Sequence, residues 1–242
     1  MWTPTALASN VRQSKGLVWR VVEHQYTVST RKIVDTQDEQ DLLEDILEES
    51  KPPYPLEALE LHYLLKTPFR YCPPNPYGSR FRRANSGSGV FYASEHIRCA
   101  LAEFSYYRIR FFQASPETPF PQNQVVLTVF SVKYQSAHLL DLLQPPLSRD
   151  HALWTDKDNY TASQLLADSA RQANIEVIRY ESVRDVEKGA NIALLVPQVF
   201  TTKKPVAQQT WYFFLSTQEA SCIRVNPHDS SEKWIFPLTQ FA

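Results

Sequence analysis

At 242 residues with 43% hydrophobic content, the chain can bury a substantial core without disulfide or metal staples. Its formal net charge of -1 excludes a protein-wide field that would draw it to nucleic acid, so any anion recognition has to be local. The three cysteines, Cys72, Cys99 and Cys222, form an odd set without metal spacing and fit a reducing compartment. No apolar run is long enough to cross a bilayer, and the start (MWTPTALASNVRQSKG) lacks the regions of a secretory signal, so a cytoplasmic location is expected.

Leu17 to Val28, rich in β-branched and aromatic residues, reads as a strand or a short strand pair. From Asp38 to Glu49, Leu42, Leu43, Ile46 and Leu47 recur at helical spacing on an acidic background. That pattern predicts an amphipathic helix packed on the body, with its acids as a solvated face. Lys51 to Pro55 (KPPYP) breaks the helix and is the best candidate boundary; a second helix is predicted from Leu56 to Leu65. Val90 to Ala93 is strand-like, and Ser94 is the expected N-cap of a helix running to about Phe112. Ser115 to Gln124, with its prolines, reads as a surface loop. Strands are predicted at Val125–Tyr134, Glu176–Tyr180, Asn191–Val196, Gln209–Ser216 and Cys222–Val225, with a helix at Thr161–Ala173. The sum is an α+β chain without repeats or heptads.

The chemistry concentrates between Phe69 and Phe104 (FRYCPPNPYGSRFRRANSGSGVFYASEHIRCALAEF). Gly78, Gly87 and Gly89, three of the chain's five glycines, lie there among Arg70, Arg80, Arg82 and Arg83. Guanidinium groups on loops suit phosphate oxygens, and glycines let a backbone approach an anion closely. An exposed basic loop making surface ion pairs is the alternative. Ser86-Gly-Ser-Gly89 lacks the glycine pattern of a Walker or dinucleotide-binding turn and reads as a tight turn. Glu103, flanked by Ala102 and Phe104 in an apolar helix, would stabilise positive charge or orient a sugar hydroxyl; a salt bridge to Arg98 is the plainer reading. Ser182, at a strand end between arginines, would bind a phosphate or hydroxyl, with no His-Asp pair nearby to activate it. The six histidines show no metal spacing, and no metal is expected.

Arg70-Tyr71, Arg80-Phe81, Tyr92, Ala102-Glu103 and Ser182, with the Val90–Ser94 run, Tyr160–Gln164 and Tyr180–Arg184, resemble in order and spacing the RES-domain family, the toxins of bacterial RES–Xre toxin–antitoxin pairs. The resemblance runs from about Leu64 to Leu215. It implies one mixed α/β domain similar to the ADP-ribosyltransferase toxin fold, with residues 1–62 as an N-terminal extension of strand plus helices packed on the core, 63–226 as the catalytic RES domain and 227–242 as a C-terminal tail. The implied substrate is NAD, cleaved between nicotinamide and ribose with inorganic phosphate or water as acceptor. By the same resemblance Arg70, Glu103 and Ser182 are the catalytic set, and Tyr71, Arg80, Arg82 and Tyr92 bind the ligand. The family's glycine-arginine-aromatic-asparagine turn stands here as Ser79-Arg80-Phe81-Arg82, which favours Arg80 over Arg82 because an aromatic residue follows it. The implied partner is an Xre-type helix-turn-helix antitoxin in a homo- or hetero-oligomer; no direct contact of the toxin with nucleic acid or membrane is expected. ADP-ribosylation of a protein, and a catalytically silent module holding a nucleotide or an acidic tail, are the alternative functions.

Overall fold

The computed structural model describes residues 2–24, 33–70, 78–115, 117–225 and 232–241. A short helix, α1 (Pro4–Ala8), capped by the Thr3 hydroxyl accepting from the Ala6 amide at 3.2 Å, leads into the long strand β1 (Arg12–Glu23). Helix α2 (Gln37–Glu49) begins with a capping box, in which Thr36 and Glu39 satisfy each other's backbone amides. After a 3-10 turn at Leu56–Ala58 come α3 (Tyr63–Lys66), β2 (Phe91–Ser94), α4 (Ile97–Ala114) and β3 (Val125–Asp141). Then follow α5 (His151–Trp154), α6 (Thr161–Gln172), β4 (Val177–Glu181), β5 (Ala190–Leu194), β6 (Ala207–Leu215), β7 (Glu219–Arg224) and β8 (Lys233–Pro237).

The eight strands form one mixed sheet, ordered β1-β2-β5-β4-β3-β6-β7-β8, in which β1 also pairs with β3. That extra pairing closes β1, β2, β5, β4 and β3 into a ring. Strand β3 makes it feasible by its length. One edge carries β1 antiparallel from Glu23↔Leu127 to Arg12↔Leu139; the other carries β6 at Val125–Ser131 and β4 at Leu139–Asp141. The β3–β4 pairing is the parallel one, reached through the crossover that contains α5 and α6, as parallel strands require. Alternation along β3 then feeds two cores. Phe130, Val132 and Tyr134 join Val18, Phe91, Ile192 and Leu194, whereas Leu127 and Val129 join α4 and the β6–β8 strands around Trp211, Phe213 and Phe236. Among the described residues no helix is long and apolar enough to cross a membrane.

Several expectations shift. The strand predicted at Leu17–Val28 is built into the sheet at Arg12–Glu23 rather than laid on the core, and its far end lies outside the described residues. Strand β8, inside the expected tail 227–242, pairs with β7 and was not foreseen. Helix α2 does not lay its apolar stripe on the body. Leu42, Ile46 and Leu47 are exposed and Gln40 is buried, because the helix is tied down at its C-terminal end, where Glu48 meets Arg70. The helix expected at Leu56–Leu65 is interrupted by His62, whose extended backbone donates to the Lys203 carbonyl at 2.8 Å. Ser94 is a strand residue; the N-cap of α4 is His96.

Gly89 sits where a β-carbon would collide with the main chain of Pro68 and Phe69, so only a hydrogen fits between the 68–70 turn and the approach to β2. Gly89→Ala is expected to lower stability by about 1–3 kcal/mol, as overpacking against backbone does. A lower urea midpoint at unchanged denaturant dependence would show it.

Candidate active site

A cleft of about 390 Å³ opens beside α4 at the ring of strands. One row of the sheet supplies much of its wall: Trp19 lies opposite Ser94, Ser94 opposite Asn191 and Asn191 opposite Tyr180, and all four line the cleft. Directly opposed residues share a face, so four strands deliver these side chains together. Tyr92, two residues before Ser94 in β2, points the same way, whereas Phe91 and Ala93 turn to the other core. The Tyr92 hydroxyl shares a hydrogen bond of 2.8 Å with Ser79 and accepts from the Phe81 amide at 3.0 Å; burial raises its pKa above the usual phenol value, so it stays neutral. These contacts tie β2 to the turn Ser79–Arg82, whose two carbonyls also receive the Gln164 amide at 3.0 and 3.3 Å. Phe81 in that turn is fully buried, edge-on to Tyr180.

Glu103, on the second turn of α4, reaches the cleft with its carboxylate held from two sides. Its Oε1 accepts from the Ser182 hydroxyl at 2.6 Å and from the Asn191 amide at 2.7 Å. Ser182 is fixed in turn: its Oγ accepts from the amides of Arg184 and Asp185 at 3.2 and 3.1 Å, and its own amide donates to the Gly189 carbonyl at 2.8 Å. The plainer reading of Glu103 does not hold, because Arg98 pairs with Asp185 and Glu187 instead. That pairing braces the Ser182 turn. Glu103 and Ser182, 79 positions apart in the chain, are thus brought into direct contact.

The arginines divide into two groups. Arg80 and Arg82 line the cleft, joined by Arg184. Arg80 donates to the carbonyls of Trp154 and Asp156 at 2.6 and 2.9 Å and lies 4.5 Å over the Tyr160 ring. Arg184 donates to the Lys157 carbonyl at 2.6 Å and stacks 3.5 Å over Tyr106. Arg83 turns away to Asp168 at 2.5 Å. Arg70 is outside the lining too: it donates to Glu48 Oε1 at 2.6 Å and to the Pro52 carbonyl and lies 4.3 Å over Tyr54. The structure therefore uses Arg70 to fasten the segment around residues 48–54 and does not bring it to Glu103. Tyr71 falls outside the described residues, as does Cys72.

The sequence reasoning passed over Asn191, Arg184, Tyr107, Tyr160 and Tyr180 as cleft residues. Asn191 did carry a signal. It is the one polar residue of β5 (Ala-Asn-Ile-Ala-Leu), a strand buried throughout, and a buried amide demands partners.

The family model described as RES domain matches residues 52–216. The chain belongs to the RES-domain family. The match spans every residue of the Glu103 and Ser182 contacts yet leaves out β1, β7 and β8, which complete the sheet. Among solved structures, a chain of the M. tuberculosis MbcT–MbcA toxin–antitoxin complex aligns with a TM-score of 0.48 and 9% identity, over 86% of this chain and 92% of its own length. No curated protein matches the sequence.

Cys99 and Cys222 are buried free thiols. Burial pushes both up to about 12, and for Cys99 the Glu103 carboxylate adds to the effect. At pH 8 a thiol with that value is about one part in 10⁴ thiolate, so it is a poor nucleophile. Native protein treated with iodoacetamide at pH 8 and mapped by peptide mass is expected to carry no label at either residue, and to gain both in urea.

Proposed function

We propose that this chain is an NAD-consuming toxin of the RES–Xre kind, breaking the bond between nicotinamide and ribose and passing the ADP-ribosyl group to phosphate or water. The observation that carries the reading is the Glu103 carboxylate, held at the cleft by Ser182 and Asn191 and facing a wall that contains Arg80, Arg82 and Arg184. NAD supplies a match for each part: a diphosphate for the guanidinium groups and, as the bond breaks, a ribose that turns cationic beside the carboxylate.

In the reaction the glycosidic C–N bond breaks and its electron pair leaves with nicotinamide, which departs as a neutral base. A C–O bond forms to the acceptor, whose proton goes to solvent. No strong general acid is needed. Glu103 contributes charge where the sugar becomes oxocarbenium-like, an effect that grows between ground state and transition state and so accelerates the step. Ser182 anchors that carboxylate. Tyr92, Tyr107 and Tyr160 offer aromatic surface for the rings of the dinucleotide. Arg70, fastened to Glu48, has no direct role in this scheme. The physiological partner under this reading is an Xre-type antitoxin.

Purified protein incubated with NAD, with and without inorganic phosphate, is expected to release nicotinamide. A phosphorylated ADP-ribose in the first tube identifies a phosphorylase, and free ADP-ribose in both a glycohydrolase. Glu103→Gln should slow release on the order of 10²- to 10³-fold, as loss of a charge-stabilising group does. Label from NAD appearing on protein in a lysate would replace this reading with ADP-ribosyl transfer. Intact NAD in every arm would sink it in favour of a silent binding module.

A further inference from the structure

We infer that Asn191 is a positioning residue for Glu103, with its amide oriented by Ser94 and Cys99 so that one oxygen of the carboxylate is tied down and the other is left to the ligand. The inference rests on, and deepens, the reading of Glu103 as the group that stabilises the reacting sugar.

An asparagine amide has an accepting end and a donating end of nearly equal shape, and its partners decide which way it points. In the structure Asn191 Nδ2 donates to Glu103 Oε1 at 2.7 Å, while Oδ1 accepts from the Ser94 hydroxyl at 2.5 Å and from the Cys99 thiol at 3.2 Å. Reversing the amide would set its oxygen against an ionised carboxylate that can only accept. It would also leave the thiol facing two N–H donors. The buried thiol stays protonated, so it remains a donor at neutral pH. Ser94 needs no loop to hold it: it is the register partner of Asn191 across the β2–β5 ladder, and both residues are only 2% exposed. Three donors from two strands and a helix therefore choose one of the two amide orientations.

The consequence falls on Glu103. Asn191 and Ser182 both donate to Oε1, so the protein spends its hydrogen bonds on a single oxygen. The carboxylate plane is set by that pair, and Oε2 is the oxygen free to meet a cationic sugar or its hydroxyls. Asn191 itself is not asked to touch the substrate. A carboxylate turned by a small angle loses much of its effect on a charge a few ångströms away, so a buried amide that fixes the plane acts on rate more than on binding.

The test uses the full chain and four variants: Asn191→Asp, which is isosteric, Asn191→Ala, Ser94→Ala and Ser94→Thr. Asn191→Ala is expected to lower kcat for NAD about 10²-fold, with KM within about twofold of wild type. Ser94→Ala is expected to lower kcat roughly tenfold, the scale of one hydrogen bond, and Ser94→Thr, which keeps the hydroxyl, to recover most of that loss. Asn191→Asp puts two carboxylates at hydrogen-bond distance, where they share a proton; the acid limb of its pH–rate profile should move to higher pH. A purely structural asparagine would lower the melting temperature without moving that limb. Crystal structures of the Asn191→Asp and Ser94→Ala proteins supply a readout independent of turnover, with the Glu103 carboxylate rotated from its wild-type plane. If wild-type protein leaves NAD intact, the proposed reaction fails and the crystal structures alone decide the positioning role. An unrotated Glu103 in both variants, or wild-type kcat with an unmoved pH limb in folded Asn191→Asp protein, overturns the inference.

Discussion

The antiparallel ladder between β1 and β3, in register from Arg12 at Leu139 to Glu23 at Leu127, turns an open sheet into a ring. Without it β2 and β5 would be exposed at an edge, with unpaired backbone groups and no fixed angle to β3. With it, five strands curve around a single apolar core, and β6, β7 and β8 extend from the remaining stretch of β3 to receive α4. β1 belongs to the sequence before the family match, yet it supplies a wall of that ring and, through Trp19 and Arg20, part of the cleft. The span recognisable as a RES domain is therefore smaller than the unit that buries its core.

Placing a carboxylate in such a body sets the second constraint. A charge withdrawn from water needs donors, and α4 has none to spare because its amides are committed to the helix. The donors come from elsewhere: a turn after β4 gives Ser182 and β5 gives Asn191. Arg98 then braces the turn through Asp185, whose side chain is almost wholly buried, and Gly189 leaves room for it, since a β-carbon there would come within 2.7 Å of Asp185 Oδ2. The site is distributed over the chain because its electrostatics require it.

This explains what could be read beforehand. Elements with strong local signals were legible: the β-branched run that became β3, the apolar period of α4, the helix from Thr161. Glu103 stood out as a carboxylate in an apolar helix, and Ser182 through its family context. Helix α2 showed a clear amphipathic period but exposes its leucines, because period reports a face and not what covers it. Strand β8 is short and lies on an edge, where few residues need to be apolar. Arg70 could not be told from Arg80 by type or by loop setting; their roles part only through Glu48 in one case and three main-chain carbonyl neighbours of the cleft in the other. The Ser94–Asn191 pairing depends on strand register, which no local pattern carries.

The guanidinium groups of Arg80 and Arg184 rest on the carbonyls of Trp154, Asp156 and Lys157, whereas Arg70, Arg83 and Arg98 rest on carboxylates. A carboxylate cancels the charge it holds; a carbonyl orients a cation and leaves its charge intact. A carbonyl is also the same in every amino acid. The stretch from 154 to 157 is therefore free to drift in side-chain identity across descendants while it still cradles both cations, so long as its path is kept. What inheritance must preserve there is the shape of a loop, and comparison of sequences alone would score it as unimportant.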